Sequence, residues 1–466
     1  MRQDLPLTQG LATQHAALTL SVAREPLPQQ AVEAARRLVQ HAFGVAAVSS
    51  TLPVSAIARE AAGNAPGPCL VFGSAGSHAA QDAAFANGAT GHASLLEDSG
   101  PGGTACGSHP ATYVFPAALA AAQERNASGM DLLRAVCAAY ETVDRLGTML
   151  PAEATQRGFR AVSMLGPFGA AAAAGVLYGL SVPQLSAAYG IASNLAGGTN
   201  QGFVDGTMEP YLHPAFAARN GLLAARLALA GCTASPRSLE GERGFFVAFA
   251  GRGPELNAVT NRPLAVSRVG AKDFATCLYN QGTLALVARS FPRGFPGQEI
   301  ARVTLSRPAS GLHGLSAPGV AGMPAHGNAL QLQMSARFTT AAALLGRPVD
   351  SAGWFEHAAD DAEVAALANG MELVTHACTG IRIEVTLRDG RREVAEAGAE
   401  TALVFSSERI AAAFSARVHP VLGEDRTAEA AALLGELPRL ATLERLASLF
   451  RIDYAETSQH TPRKDA

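Results

Sequence analysis

The stretch that decides the fold is residues 166–198, "GPFGAAAAAGVLYGLSVPQLSAAYGIASNLAGG", because it contains no charged side chain. The uncharged run extends over residues 161–204, which exceeds the roughly 20 apolar residues that a membrane-spanning helix needs. Gly166-Pro167 and then Ser181-Val182-Pro183-Gln184 interrupt the run, and Ala and Gly are its commonest residues. We therefore expect two buried helices that pack closely through small side chains, and no membrane partner.

Helical periodicity dominates the rest of the first half of the chain. In residues 31–48, "AVEAARRLVQHAFGVAAV", one apolar stripe recurs at helical spacing, formed by Val32, Ala35, Leu38, Val39, Ala42 and Phe43. Ser128 and Asp131 form a capping-box pattern, and Gly147 fits the end of the helix that they begin. Ser181 with Pro183 begins another helix in the same way.

The pattern changes after about residue 265. Residues 301–306, "ARVTLS", alternate and place Ala301, Val303 and Leu305 on one side of a strand. Residues 381–397, "IRIEVTLRDGRREVAEA", alternate more clearly, and their Asp-Gly pair predicts a hairpin turn. Between these strands, residues 330–346, "LQLQMSARFTTAAALLG", predict a helix. This part of the chain is therefore expected to be an α+β unit.

These patterns predict a mainly α fold, with a large all-α helical domain and a smaller inserted α+β domain. We place the helical domain at residues 1–268 and the inserted domain at 269–405. C-terminal helices at 406–466 return to the helical domain, with a disordered tail from about residue 456. Because ligands favour the cleft between two such domains, we expect a site there.

Charge and cysteine usage exclude several classes of protein. The net charge of −3 over 466 residues gives no basic surface, so a nucleic-acid partner is not expected. The six cysteines are scattered singly, which argues against a zinc or disulfide scaffold and fits a reducing cytoplasm. The N-terminal residues lack the apolar core of a signal peptide, and no His/Cys/Asp cluster has the spacing of metal ligands. We therefore expect a cytoplasmic protein without a metal.

Four blocks of sequence, taken in order, resemble the MmgE/PrpD superfamily. They are "FANGATGHASLLEDS…SHPATYVFPAALAAAQ", "GFRAVSMLGPFGAAAAAGVLYGLS", "DGTMEPYLHPAFAARNGLLAARLALAG" and "KDFATCLYNQGTLALV". That superfamily includes 2-methylcitrate dehydratase, cis-aconitate decarboxylase and iminodisuccinate epimerase. The resemblance implies an all-α domain, an α+β lid inserted before the C-terminal helices, and a homodimer. It also implies chemistry on small polycarboxylates without a metal or cofactor.

Some positions match the functional residues of the superfamily, and others depart from them. Asp98 and Ser99 match the end of its acidic stretch, which His-Pro follows. The residues that match its later motifs are His109, His213 and Lys272.

The departures fall at three places. Leu95 stands where the superfamily has the first aspartate of the acidic stretch, and Arg160 stands where it has the histidine of a Gly-Phe-His motif. Its lysine near the Leu-His pair is absent, and Glu209 and Pro210 are found nearby.

The reactions of this superfamily remove or return a proton at a carbon beside a carboxylate. Such a step requires a base and cationic or hydrogen-bonding groups for the developing charge. We predict His109, Asp98 and Lys272 as catalytic residues. The alternatives are that His109 caps the helix beginning at Pro110, that Asp98 caps a turn, and that Lys272 is a solvated lysine at a strand edge.

We predict Ser99, Arg160, His213 and Tyr279 as substrate-binding residues. A guanidinium cannot act as a base but binds carboxylates with two hydrogen bonds, so Arg160 fits a carboxylate clamp. The alternatives are a surface salt bridge for Arg160, a structural turn for Ser99 and a packing role for His213.

Three functions remain open at this point. The leading one is a cofactor-independent lyase, either a dehydratase or a decarboxylase, acting on a small di- or tricarboxylate. The second is an epimerase or isomerase, in which the proton leaves and returns without a leaving group. The third is a catalytically inactive homologue that binds carboxylates.

Overall fold

The computed structural model describes residues 10–100, 109–256, 262–307, 327–374, 379–398 and 406–452. Within these ranges the protein is mainly α-helical with a smaller sheet-containing region, so the predicted fold class is confirmed. The predicted C-terminal tail from about residue 456 lies outside the described residues.

The helices of the first half of the chain are α1 (Leu11–Arg24), α2 (Gln29–Ser49), α3 (Pro53–Ala62), α4 (Ala80–Ala93), α5 (Ala111–Glu124), α6 (Gly129–Met149), α7 (Glu153–Gln156), α8 (Ala161–Leu177), α9 (Val182–Leu195), α10 (Gln201–Asp205), α11 (Glu209–Leu229) and α12 (Phe245–Ala250). Those of the second half are α13 (Leu278–Ser290), α14 (Ala329–Met334), α15 (Ala336–Leu344), α16 (Ala352–Phe355), α17 (Ala362–Gly370), α18 (Ser407–Leu422), α19 (Glu424–Gly435) and α20 (Glu444–Leu449). Short 3₁₀ turns lie at Ala265–Arg268, Gly297–Glu299, Ala358–Asp360 and Leu437–Arg439.

Eight strands occur within the described ranges: β1 (Pro66–Leu70), β2 (Ser77–His78), β3 (Asp98–Ser99), β4 (Gly270–Ala271), β5 (Ile300–Ser306), β6 (Glu372–Val374), β7 (Gly380–Leu387) and β8 (Arg392–Gly398). The last four form one sheet in the order β6-β5-β7-β8, in which only the β5–β6 pair is parallel. The short strands β3 and β4 pair antiparallel and join segments that are far apart in sequence.

Two large groups of buried apolar side chains hold these elements together. One extends through the helices from α1 to α12 and is completed by α18, α19 and α20. The other joins the four-stranded sheet to α13 through α17, and it also includes Leu95 and Leu96, which follow α4. The domain boundaries at residues 268 and 405 stay a prediction.

The uncharged run forms two helices, α8 and α9, as predicted. The run divides after Leu177, and not at Gly166-Pro167, because α8 continues through Pro167. Every residue of α8 from Ala161 to Gly175 is buried. Across from it on α11, a Cβ added to Gly221 would lie 2.7 Å from the backbone nitrogen of Ala171 and would also meet the carbonyl oxygen of Pro167.

The helix starts follow the predicted caps. The side chain of Ser128 accepts a hydrogen bond from the Asp131 amide, and Ser181 does the same with the Gln184 amide, so both helices begin with capping boxes. The end predicted at Gly147 is wrong, because α6 continues to Met149 and buries this glycine in the helix.

Two further differences arise in the α+β part. The single helix predicted over residues 330–346 is broken at Ser335, which ends α14 and caps α15 through its hydroxyl.

Ala301 is exposed and does not share the buried side of Val303 and Leu305, because a bulge shifts the register between Ile300 and Arg302. The hairpin at Asp389-Gly390 is confirmed, and Ile381, Ile383, Val385 and Leu387 are all buried.

In the ranges that the structure describes, no single helix has both the length and the apolar composition to cross a bilayer. By these two measures alone, the bent pair formed by α2 and α3 would pass as a broken span.

We expect Gly221→Ala to lower the free energy of unfolding by about 1–3 kcal/mol, because the new methyl group overpacks the α8–α11 contact. Chemical denaturation measures this change. Gly435→Ala is the matched control, since a Cβ at that helix end meets no atom within 4 Å. Equal stability of the two variants would contradict close backbone packing of α8 on α11.

Candidate active site

A pocket lies where the end of α4, the starts of α5 and α8, and the segment from β4 to α13 meet. Polar and charged groups line one part of it, and apolar side chains line the rest. Its lining residues are His92, Leu95, Glu97, His109, Thr155, Phe159, Arg160, Ala161, Asn200, Phe203, Lys272, Cys277, Leu278, Tyr279 and Met334.

The pairing of β3 with β4 brings Lys272 to this pocket. Asp98 lies opposite Ala271 in the ladder, so the residues beside them, Glu97 and Lys272, also become neighbours. The Lys272 ammonium donates to Oε1 of Glu97 at 2.5 Å, and both side chains are buried. Burial alone would raise the pKa of Glu97, but Lys272 and the imidazoles beside it outweigh burial and hold this pKa well below its usual range.

His109 is held in one tautomer. Its Nδ1 lies 2.9 Å from the backbone carbonyl oxygen of Asp98. A carbonyl oxygen only accepts, so Nδ1 carries the proton and Nε2 carries the lone pair. Among the described residues, Nε2 has no hydrogen-bond partner. Burial and then the charge of Lys272 lower the pKa of His109 well below 6.5, which keeps the ring neutral at pH 7.

Arg160 fixes the tautomer of a second histidine, His92. Its guanidinium donates to Nε2 of His92 at 2.7 Å, so the His92 proton is on Nδ1. This Nδ1 lies 3.4 Å from Oε2 of Glu97. Burial lowers the pKa of His92 to about 4 against the opposing charge of Glu97, and the ring is therefore neutral at pH 7.

The position of Arg160 follows from the start of α8. Arg160 is the residue that precedes the helix, and its amide donates to the carbonyl oxygen of Gly198 at 3.0 Å. Its guanidinium lies over the ring of Phe203 at 4.6 Å from the centroid and donates to the carbonyl oxygen of Pro210 at 2.5 Å. Burial lowers its pKa to about 10, so it is charged at pH 7.

No carboxylate of the described ranges lies within salt-bridge distance of Arg160. The predicted alternative of a surface salt bridge is therefore disfavoured for this buried residue, and its positive charge faces the pocket with only neutral partners in direct contact.

The carboxyl group of Asp98 has structural partners. It accepts the first amide of α5, from Ala111 at 3.0 Å, and the hydroxyl of Tyr140 at 2.8 Å. Burial raises its pKa to about 7 despite these two hydrogen bonds. Asp98 does not line the pocket, and it contacts His109 through its backbone carbonyl. These contacts favour the capping alternative for its side chain.

The other predicted binding residues divide into two pairs. Arg160 and Tyr279 line the pocket, whereas Ser99 and His213 do not. Ser99 is buried in the β3–β4 ladder opposite Gly270. His213 contacts Arg160 without lining the pocket, and its Nδ1 lies 3.4 Å from the guanidinium. Burial, followed by the charge of Arg160, lowers the pKa of His213 to about 3.

Leu95 lines the pocket with a left-handed backbone at φ 55°. This conformation is rare for a residue with a Cβ and a branched side chain. The neighbouring residues Leu96 and Glu97 are nearly inaccessible, so surrounding contacts hold the segment in place.

Our sequence reasoning missed His92 and Glu97. Both lie in the block "GHASLLEDS", and Glu97 directly precedes a residue that was selected. The available signal was an acidic pair in a chain with few charged residues, but nothing in the local sequence shows that one carboxylate faces the pocket and the other faces a helix end.

Metal ligation has no candidate set in the parts of the chain that the structure describes, since no group of three His, Cys, Asp or Glu side chains there is arranged to hold a metal ion. The acidic group nearest to the pocket histidines, Glu97, is already bound to an ammonium group.

The sequence model of the MmgE/PrpD N-terminal domain matches residues 13–257, which is more than half of the chain. The chain belongs to the MmgE/PrpD family. The matched range contains His92, Glu97, His109 and Arg160, and it ends before Lys272.

Curated relatives of this family member carry related names. A cis-aconitate decarboxylase-like protein of Aspergillus oryzae is 34% identical over 212 residues, 43% of each chain. The cis-aconitate decarboxylase of Aspergillus terreus is 29% identical over 235 residues, 49% of this chain and 47% of its own. The human cis-aconitate decarboxylase is 34% identical over 179 residues, 37% and 36% of the two chains. The chain thus spans less than half the length of the curated relatives that it matches.

We expect the protein to lose stability as the pH falls below 6.5. Burial lowers the pKa of His15 and His92 to about 4 and that of His41 and His213 to about 3. Below pH 6.5 the unfolded chain therefore binds more protons than the folded protein, which favours unfolding. Burial raises the pKa of Asp98, Asp144 and Glu356, and these three carboxyl groups act in the opposite direction, but the buried histidines outnumber them.

Thermal unfolding at pH 7.5 and pH 5 measures this effect, and we expect the Tm to fall by roughly 5 °C or more. An equal or higher Tm at pH 5 would show that these histidines are not buried in the neutral form.

Proposed function

We propose that this protein is a cofactor-independent lyase that acts on a small di- or tricarboxylate. The observation that supports this most directly is the charge arrangement of the pocket. Lys272 is matched by Glu97, whereas the buried Arg160 has no carboxylate beside it among the described residues. A carboxylate of the substrate would supply the missing negative charge, with the fork of hydrogen bonds that a guanidinium favours.

A base is available in the same pocket. Nε2 of the neutral His109 would take the proton from a carbon next to a substrate carboxylate. The electron pair of the broken C–H bond would remain on the substrate and spread onto the carboxylate oxygens. In a dehydration it would then form a C=C bond as hydroxide leaves, and the hydroxide would take the proton that His109 had accepted, so that water is released. In a decarboxylation the electron pair of the broken C–C bond would stay on the substrate as carbon dioxide leaves, and His109, protonated from solvent, would return a proton to carbon. The ammonium of Lys272 and the guanidinium of Arg160 would stabilise this charge in a site that is largely closed to water.

The names of the relatives support the same class of substrate. All three are called cis-aconitate decarboxylases or decarboxylase-like proteins, and cis-aconitate is a small tricarboxylate. We therefore propose a tricarboxylate or a shortened analogue of one as substrate, with carbon dioxide or water as the leaving group. From the resemblance we also propose a homodimer, and from the scattered single cysteines we propose a cytoplasmic location.

The experiment that tests the function is a thermal-shift screen of small polycarboxylates, followed by NMR of any ligand with the protein in D₂O. Loss of carbon dioxide or water from the ligand would establish a lyase. Exchange of a C–H proton for deuterium, with no group lost, would instead establish an epimerase or isomerase. Binding without either change would establish a carboxylate-binding protein.

We expect His109→Ala to reduce kcat on the identified substrate by about 100-fold or more, because the variant lacks the base. Steady-state kinetics measures this loss, and the exposed His419→Ala on α18 is the matched control. Turnover of His109→Ala close to that of the wild type would show that His109 has a structural role.

Arg160→Lys should raise KM more than it lowers kcat, because it keeps the charge but loses the second hydrogen bond to the carboxylate. The comparison needs initial rates over a range of substrate concentrations. A KM equal to that of the wild type would make Arg160 a structural residue that orients His92.

A further inference from the structure

Glu97 lies at the centre of the polar groups of the pocket, although it was not among the predicted catalytic residues. Its Oε1 lies 2.5 Å from the ammonium of Lys272 and 3.5 Å from Nδ1 of His109. Its Oε2 lies 3.4 Å from Nδ1 of His92. The side chain is only 1% exposed, so these groups, and not water, surround its charge.

We propose that Glu97 is a positioning residue that acts through His109 and Lys272. Its carboxylate holds the Lys272 ammonium and supplies the negative charge against which His109 takes up a proton. The inference rests on the proposed function, because it assigns to Glu97 the support of the base that this function requires.

The physical need for such a charge follows from what surrounds His109. Among the described residues, the titratable groups beside its ring are Lys272, Glu97 and His92, whereas Asp98 contacts it through the backbone carbonyl. When Nε2 accepts a proton from the substrate carbon, the ring becomes a buried cation near the Lys272 ammonium. Burial and Lys272 both oppose that cation, and the Glu97 carboxylate at 3.5 Å favours it.

The tautomer of His92 keeps Glu97 in the charged form. Because Arg160 donates to Nε2 of His92, the proton of this ring is on Nδ1, the nitrogen that lies 3.4 Å from Oε2 of Glu97. Glu97 therefore has the Lys272 ammonium at one oxygen and the protonated nitrogen of His92 near the other, which favours the carboxylate over the carboxylic acid. Arg160 is connected to the base through this series of contacts, from His92 to Glu97 to His109.

Glu97→Gln keeps the shape of the side chain and removes its charge, so it isolates the electrostatic role. Glu97→Asp keeps the charge on a shorter side chain and should partly restore the wild-type pKa of His109 and the wild-type kcat/KM. Glu141→Gln is the matched control, since Glu141 is a buried carboxylate paired with Arg145 and the Ala265 amide outside the pocket.

The first measurement needs no substrate. Histidine-selective ¹⁵N labelling and long-range ¹H–¹⁵N correlation spectra report the tautomer and the pKa of each ring, with His109→Asn identifying the signals of His109. In Glu97→Gln we expect the pKa of His109 to fall by roughly one unit relative to the wild type, the scale of a neighbouring opposite charge. An unchanged pKa and tautomer of His109 in a folded Glu97→Gln protein would overturn the proposal.

The second measurement is the pH dependence of kcat/KM on the identified substrate. We expect Glu97→Gln to lose about tenfold in kcat/KM at neutral pH and its acid limb to move to lower pH, with Glu141→Gln unchanged. A shift of the NMR pKa without a matching shift of the acid limb would leave the role of Glu97 intact but would show that His109 is not the base. That outcome separates a failure of the proposed function from a failure of this inference.

Discussion

Helix α8 lies buried along most of its length, and glycines at its contacts let the neighbouring helices approach closely. Gly221 of α11 leaves no room for a methyl group against the backbone around Ala171, and Gly169 of α8 similarly faces Val143 of α6. Such close packing gives many short-range contacts and no tolerance for added volume. The start of α8 is fixed by this packing, and Arg160, the residue before it, is consequently presented to the pocket.

Burial in this pocket also decides its chemistry. Buried charges are costly unless they are paired, and the Lys272–Glu97 pair meets that requirement within the protein. Arg160 meets it only in part, through neutral acceptors and the face of Phe203. The positive charge of Arg160 therefore has no carboxylate in direct contact among the described residues. This is the physical reason for expecting an anionic ligand, whichever reaction follows.

Features that depend on local sequence could be predicted, and those that depend on tertiary contacts could not. The capping boxes at Ser128 and Ser181 involve residues three positions apart, so the sequence alone was sufficient to find them. The break at Ser335, where the backbone is extended and the side chain caps α15, was not evident from the helical periodicity of residues 330–346. The same holds for the bulge that exposes Ala301.

The candidate site shows the same division. His109, Lys272 and Arg160 line one pocket, and their roles stay predictions. Asp98 and Glu97 are adjacent in sequence, but alternation along the chain sends one carboxyl group to α5 and the other to Lys272. The β3–β4 pairing joins residues far apart in the chain, and it determines which of the two neighbouring carboxylates faces the pocket.

The left-handed backbone at Leu95 limits which residues are compatible with both the fold and the pocket. A branched residue in that conformation costs on the order of 1–2 kcal/mol, which the packing around it must offset. Asn or Gly would adopt the same backbone conformation at a lower free-energy cost. Leu95 therefore lowers the stability of the fold relative to those residues, while it places an apolar side chain at the pocket wall. At position 95, a residue that would raise the stability of the fold would therefore also change the shape of the pocket wall.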